Sequence, residues 1–116
     1  MIISAQKTFY TEVLGLQILK ETYRAERASY KLDLALNEQY IIELFSFPNP
    51  PKRLSFPEAT GLRHLAFSVK NLNQEIIRLK HKGVQVEAVR KDPITEKNYV
   101  FFADPDGLPI ELYEVQ

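Results

Sequence analysis

The chain has 116 residues, one domain's length, which is enough to bury roughly two-thirds of the surface that the unfolded chain exposes. Fifteen basic side chains balance fifteen acidic ones, so there is no net charge to attract nucleic acid, and we expect no nucleic-acid partner. The lack of cysteine excludes disulfides and thiol nucleophiles, and it leaves His, Asp and Glu as metal ligands. The first residues have neither the basic segment nor the apolar core that a signal peptide needs, and no stretch approaches about 20 apolar residues, so we expect a cytoplasmic protein without a membrane partner.

Hydrophobic periodicity in the first part of the chain predicts one helix followed by three strands. Apolar residues recur at helical spacing through residues 4–14, and Gly15 supplies a C-terminal stop. Strand-like alternation follows in residues 16–23, 30–36 and 40–47, with a turn at residues 37–39. The next segment, residues 48–60, holds four of the seven prolines and is predicted to be a semi-rigid connector.

The second part of the chain predicts a strand, a helix and three further strands. Residues 62–69 form the first strand, and Asn71 is a suitable N-cap for a helix that Gly83 ends. The remaining strands are predicted at residues 84–89, 98–103 and 108–115. The tetrapeptide DPDG at residues 104–107 is a strong turn signal between the last two, because Pro presets φ and Gly accepts a positive φ.

The two parts are copies of one unit. Glu43 and Glu111 each lie in the middle of an apolar strand, and they are 68 positions apart. The same shift aligns residues 14–18 with residues 82–86. Each copy is a βαβββ module, but only Met1 and Ile2 would remain of the first strand of copy one. We therefore predict an α+β fold of two paired βαβββ modules in a single domain, residues 1–116, with module one at 1–47 and module two at 61–116.

The repeat selects three candidate functional residues, Glu43, His64 and Glu111. Glutamate is disfavoured in strands and costly to bury alone, so two at equivalent positions call for a shared explanation, such as a cation between them. A neutral imidazole with two carboxylates suits Zn, Ni, Co, Mn or Fe. The alternative is that His64 is a packed strand histidine and that both glutamates face solvent. The shift of 68 places the counterpart of His64 ahead of Met1.

Other charged residues receive the simpler interpretation. His81, between Lys80 and Lys82 at the predicted end of a helix, is expected to be solvated and to have no functional role. A set of four basic residues could meet an anionic substrate group, but a solvated face is favoured for them: Arg24, Arg27, Lys52 and Arg53.

Four runs of sequence resemble the vicinal oxygen chelate superfamily, the glyoxalase/bleomycin resistance/dioxygenase proteins, and within it the small bacterial glyoxalase I-like proteins. They are IELFSFP at residues 42–48, PEA at 57–59, GLRHLAF at 61–67 and DPDGLPIELY at 104–113. The resemblance implies paired βαβββ modules around a divalent metal ion. It assigns Glu43, His64 and Glu111 as metal ligands and leaves the histidine of module one without a counterpart. Relatives of this kind often form homodimers.

The resemblance also implies a small-molecule substrate and a reaction of lactoylglutathione lyase type. A hemithioacetal of an aldehyde with glutathione or another thiol would be isomerised through an enediolate, with Glu111 as the base and Glu43 as the other candidate. Two alternatives stay open. One is a metal-free binding module like the bleomycin-resistance proteins, and the other is a chain shortened at its N-terminus that has no activity of its own.

Overall fold

The computed structural model describes residues 2–115, and the chain divides into two compact units, Met1–Lys52 and Arg53–Gln116. The first unit begins with helix α1 (Ile2–Thr8), which continues as a π-helical turn (Phe9–Val13). Gly15 follows with φ +77°, a backbone conformation that favours glycine and ends the helix. The helical segment thus starts two residues earlier than predicted and ends in a wider turn.

A three-stranded antiparallel sheet, in the order β1-β2-β3, completes the first unit. Its strands are β1 (Gln17–Arg24), β2 (Ser29–Leu36) and β3 (Gln39–Phe45). The central strand carries the buried apolar residues Leu32, Leu34 and Ala35, none of which is exposed to solvent. The prediction of a module that lacks its first strand is confirmed for the described residues. Ile2 belongs to α1, and Met1 lies outside them.

The second unit contains a four-stranded sheet in the order β4-β7-β6-β5. Its elements are β4 (Leu65–Val69), α2 (Leu72–His81), β5 (Arg90–Lys91), β6 (Asn98–Ala103) and β7 (Pro109–Glu114). Strand β4 runs parallel to β7, and the other neighbours are antiparallel. As predicted, Asn71 caps α2, since its side chain accepts a hydrogen bond from Gln74 N at 3.1 Å. The expected α+β class, with two sheets and few helices, is confirmed.

The prediction of a strand at residues 84–89 was wrong. Burial does alternate there, because Val84 and Val86 are half-buried while Gln85 and Glu87 are exposed. The hydrogen-bond ladder, however, is limited to Arg90↔Tyr99 and Lys91↔Asn98. From residues 84–89, Glu87 N donates to Phe101 O of β6 at 2.9 Å, and Val84 N donates back to Leu79 O of α2 at 3.0 Å. Alternation of apolar and polar residues shows only that one side of an extended segment is buried. Such a segment at the edge of a sheet need not form a hydrogen-bond ladder with its neighbour.

None of the helices within residues 2–115 combines the length and apolarity needed to cross a bilayer.

Candidate functional site

His64 immediately precedes β4, although the sequence predicted it inside a strand at residues 62–69. Two features explain why the ladder between β4 and β7 begins at Leu65 and does not include His64. The next pairing in register would be with Pro109, which has no N–H to donate. In addition, Nη2 of Arg53 donates hydrogen bonds to the two carbonyl oxygens before His64, that of Leu62 at 2.8 Å and that of Arg63 at 2.7 Å. The backbone at His64 is therefore positioned by a side chain and not by a strand neighbour.

His64 and Glu111 are in direct contact within the second unit. Nε2 of His64 lies 3.2 Å from Oε1 of Glu111, and their side chains are 33% and 15% exposed. Glu111 is directly opposite Phe101 on β6, and Phe101 also meets the His64 ring edge-on, with the ring centroids 5.1 Å apart. On the other side Glu111 pairs with Ala66 of β4. The two predicted ligands of module two are thus brought together.

The donor set fits a first-row divalent cation. A neutral imidazole nitrogen and a carboxylate oxygen are both suitable ligands for such an ion. Two ligand atoms that each lie about 2.1 Å from one cation are separated by roughly 3.0–3.4 Å for bond angles between octahedral and tetrahedral values. The 3.2 Å between Nε2 and Oε1 falls in that range, and it is equally a hydrogen-bond distance when Nε2 carries the proton. Inside either unit, over residues 2–115, no three His, Asp or Glu side chains are grouped to hold a metal.

Glu43 lies in the first unit, within a charged cluster on the sheet. It is directly opposite Asp33 on the neighbouring strand, and the Lys31 ammonium lies 3.8 Å from Glu43 Oε1 and 3.5 Å from Asp33 Oδ1. The Asp33 side chain is 12% exposed, whereas the Glu43 side chain is 47% exposed. Glu43 therefore has a cationic neighbour in its own unit and remains accessible to a ligand.

Tyr40 completes this cluster by donating a hydrogen bond from its hydroxyl to Asp33 Oδ1 at 2.7 Å. This bond, helped by the charge of Lys31 and opposed by burial, holds the pKa of Asp33 below its ordinary value. The same bond to Asp33 is the main reason that the pKa of Tyr40 is raised. Asp33 is thus an ionised carboxylate beside Glu43, and sequence reasoning missed it.

The position of Asp33 could not be read from the sequence, because it depends on a β-bulge. The two-residue turn at Asn37 and Glu38, both with positive φ, starts a ladder that pairs Leu36 with Gln39 and Ala35 with Tyr40. Continued without interruption, that ladder would place Asp33 opposite Ile42. The register shifts by one residue between Leu34 and Ala35, which brings Asp33 opposite Glu43 instead. Nothing in the alternation of β3 marks the extra residue.

A turn beside the second sheet is fixed by Tyr113, which follows Glu111 on the same face of β7. The Tyr113 hydroxyl donates to Asp92 Oδ2 at 3.0 Å and also contacts the Thr95 hydroxyl. The pKa of Asp92 is lowered chiefly because the backbone N–H of Ile94 donates to its carboxylate. The turn between β5 and β6 is therefore tied to the strand that carries Glu111.

The elements described above define a class of protein with two successive α/β units of similar plan, αβββ and βαβββ, and with a His–Glu pair in the second, where His64 directly precedes β4 and Glu111 lies on β7. Comparison with known proteins agrees, since the model of the Glyoxalase/Bleomycin resistance protein/Dioxygenase superfamily matches residues 3–112. The chain belongs to this superfamily, which confirms the resemblance inferred from its sequence motifs.

Similar proteins extend over most of the chain. It is 58% identical to the uncharacterized protein YwkD of Bacillus subtilis over 93% of this chain and 84% of that protein. It is 55% identical to the uncharacterized protein YaeR of Escherichia coli, over 96% and 86% of the two chains. The crystal structure of a glyoxalase family protein from Enterococcus faecalis has a TM-score of 0.89 at 47% identity, covering 96% of this chain and 87% of that one.

More distant structures share the fold alone. The trypanothione-dependent glyoxalase I of Leishmania major has a TM-score of 0.71 at 21% identity, with coverage of 97% of this chain and 78% of that one. TnmS3, an antibiotic binding protein from a Streptomyces species, has a TM-score of 0.68 at 20% identity, with coverage of 100% and 88%. The fold thus accommodates both a glyoxalase and a binding protein, and the choice for this chain must come from its own residues.

Proposed function

We propose that the protein is a metal-dependent lyase of glyoxalase I type that isomerises a hemithioacetal of a 2-oxoaldehyde with glutathione or another thiol. The contact between His64 Nε2 and Glu111 Oε1 carries the proposal, because it supplies a nitrogen and an oxygen ligand at a separation that suits one cation. His64 and Glu111 would hold the metal ion, with Glu43 as the third ligand that the sequence repeat suggests. A bound divalent cation supplies positive charge to two adjacent substrate oxygens and stabilises negative charge that develops there.

The protein's own part in the reaction is a proton transfer. Glu111 is the proposed base, because its carboxylate is only 15% exposed and lies beside His64, where it can reach a substrate held at the same ion. The proton leaves the carbon that bears sulfur and returns to the neighbouring carbon, so that the product is an isomer and no other reactant is consumed. Glu43 is the other candidate for this role. His64 keeps its position through the Arg53-bound backbone, and Phe101 limits access of water to its ring.

A second candidate function is metal-free binding of a small molecule. It is supported by the same His64–Glu111 hydrogen bond, which satisfies both polar groups without an ion. It is also supported by the aromatic surface beside them, where Phe101 contacts Tyr99 edge-on at 6.1 Å and Tyr99 stacks on Tyr113 at 6.2 Å. In this case a ligand would lie against the rings, and removal of divalent ions would leave its affinity unchanged.

The two candidates are separated by an assay of the purified protein with methylglyoxal and a series of thiols. The protein is first stripped with a chelator and then supplied with Zn, Ni, Co, Mn or Fe. The lyase proposal predicts thioester formation that requires metal and falls at least about 100-fold in Glu111→Gln, the lower range for loss of a general base. Glu87→Gln, an exposed glutamate paired with Arg90, is the matched control and should stay active. Metal-independent ligand binding without turnover by any metal–thiol pair would support the second candidate and contradict the first.

The proposal includes a homodimer working in the cytoplasm. The edge strand β3 supports association, since it exposes Tyr40, Ile41 and Phe45 at 48%, 42% and 38%. Sedimentation equilibrium at micromolar concentration tests this point, and a stable monomer would contradict it.

A further inference from the structure

Two of the protein's arginines have charges that no carboxylate balances. All six arginines lie within the described residues. Three of them pair with glutamates, at N–O distances of 2.9–3.9 Å, and Arg53 donates to backbone carbonyls. Arg24 and Arg27 form no ion pair with any acidic side chain of residues 2–115, including the exposed Glu26 that lies between them in the sequence. This sets the two apart from the other arginines.

Arg24 is held in one orientation at the end of β1. Its guanidinium carbon lies 4.7 Å from the centroid of the Phe45 ring and 5.9 Å from that of Phe47. Nη2 donates to the hydroxyl of the fully buried Ser29 at 3.1 Å, and Nε is buried without a hydrogen-bond partner. A half-buried cation with an unsatisfied N–H is costly, and contact with two aromatic faces offsets part of that cost.

Arg27 brings a second positive charge to the same aromatic surface. It ends the 3-10 turn Ala25–Arg27, and its guanidinium carbon lies 5.3 Å from the centroid of the Phe47 ring. Phe45 and Phe47 are stacked, with centroids 6.2 Å apart and planes inclined by 13°. Two guanidinium groups thus share one aromatic platform, where like charges repel unless an anion lies between them or close by.

We infer that Arg24 and Arg27 form a binding site for an oxyanion group, carboxylate or phosphate, carried by a small molecule. Planar guanidinium groups match both oxyanions by paired N–H···O bonds. Arg24, fixed by Ser29 and the rings, supplies a preorganised donor, and the exposed Arg27 closes on the ligand. Phe45 and Glu43 lie two positions apart on β3, so the site is on the same face as Glu43, about 7 Å further along the strand. The inference does not depend on metal binding or on the proposed reaction.

NMR titrations of the full-length, chelator-treated protein test the inference. Inorganic phosphate and succinate are added in separate experiments at constant ionic strength kept with chloride. We expect saturable shifts of the Arg24–Ser29 amides with at least one of them. Saturation by phosphate alone assigns a phosphate group, saturation by succinate alone assigns a carboxylate, and saturation by both assigns either oxyanion. No saturable shift with either anion would overturn the inference.

Substitutions then locate the site. Arg27→Gln should weaken binding by about tenfold or more, the effect of losing one charge-assisted hydrogen bond, and Arg27→Lys should weaken it less. Arg24→Gln should weaken it at least as much, but Arg24 packs on the Phe45 ring and its loss could affect folding. The substitution of the exposed Arg27 is therefore the decisive test of where the anion binds. Arg78→Gln removes an arginine that has a glutamate partner and should leave binding unchanged. Equal affinities for the wild type and Arg27→Gln would overturn the assignment.

Discussion

Arg53 should determine how firmly His64 is positioned, and Arg53→Ala tests this. The substitution removes two bonds from Nη2 to the carbonyls of Leu62 and Arg63, at 2.8 and 2.7 Å, and one from Nε to the Ser55 hydroxyl at 3.1 Å. The guanidinium of Arg53 holds the two carbonyls directly before His64. Its removal should therefore increase the mobility of residues 54–64 without altering any proposed ligand.

The size of the effect follows from these bonds. A hydrogen bond to a charged group contributes about 1.5–3 kcal/mol. The freed carbonyls at residues 62 and 63 are partly accessible and can bind water, so about 1 kcal/mol for each is appropriate. A total of about 2 kcal/mol raises the population of locally opened states by roughly 30-fold. Arg53→Lys should recover only part of this, because an ammonium lacks the planar fork.

NMR relaxation dispersion measures this population, because local opening occurs on the μs–ms timescale and not on the ps–ns timescale of order parameters. For residues 54–64 we expect an opened state that is about 30-fold more populated in Arg53→Ala than in the wild type. The matched control is Arg78→Ala, which removes an arginine on α2 that pairs with Glu75 and should leave this segment rigid. Unchanged relaxation dispersion in Arg53→Ala would refute the positioning role.

Three further substitutions test individual elements. Tyr40→Phe should destabilise the protein most at neutral pH, because the lowered pKa of Asp33 contributes stability that is fully present above the unfolded pKa of about 4. This stability is lost as the pH falls through the lower, folded pKa of Asp33. The urea unfolding curves of variant and wild type should therefore converge in acid. A constant difference down to pH 2 would contradict this. Asn71→Ala should cost about 1 kcal/mol in urea unfolding by removing the cap of α2, and an unchanged midpoint would argue against that cap. Leu79→Ala, at a position with 0% exposure, should cost about 2–5 kcal/mol, and a loss under 1 kcal/mol would show that the site is poorly packed.

Much of the fold could be predicted because the two modules repeat one pattern of local signals. Strand β6 occupies residues 98–103 as predicted, and the turn before β7 forms where DPDG indicated, with Gly107 at φ +88°. The cap at Asn71 and the stop at Gly83, with φ +80°, also agree with prediction. These features depend on residues that are close together in sequence, so the local sequence is sufficient to locate them.

The failures in the fold concern hydrogen bonds between distant segments. Periodicity identified the half-buried positions of residues 84–89 but could not show that the ladder with β6 is limited to Arg90 and Lys91. Similarly, the apolar run around His64 predicted a strand from residue 62, whereas Pro109 and Arg53 delay it to Leu65. Both outcomes depend on the partner strand or on a side chain from the connector.

The candidate site shows the same division. His64 and Glu111 were found from the repeat and from the chemistry of their side chains, and their contact at 3.2 Å joins residues 47 positions apart. Asp33 and Tyr40 were missed, because only the bulge in the β2–β3 ladder brings Asp33 opposite Glu43. Arg24 and Arg27 were interpreted as a solvated face, since cation–π contacts with Phe45 and Phe47 cannot be read from spacing.

The central claim, that His64 and Glu111 hold a divalent metal ion, is tested most directly by titrating the chelator-stripped protein with Co(II) and following its visible absorption. We predict one Co(II) per chain for the wild type and for His81→Ala, whose exposed histidine ends α2. His64→Ala and Glu111→Gln should each lower the affinity by at least about tenfold, the effect of losing one ligand interaction of about 1.4 kcal/mol or more. No stoichiometric binding by the wild type, or equal affinity in His64→Ala, would contradict the claim.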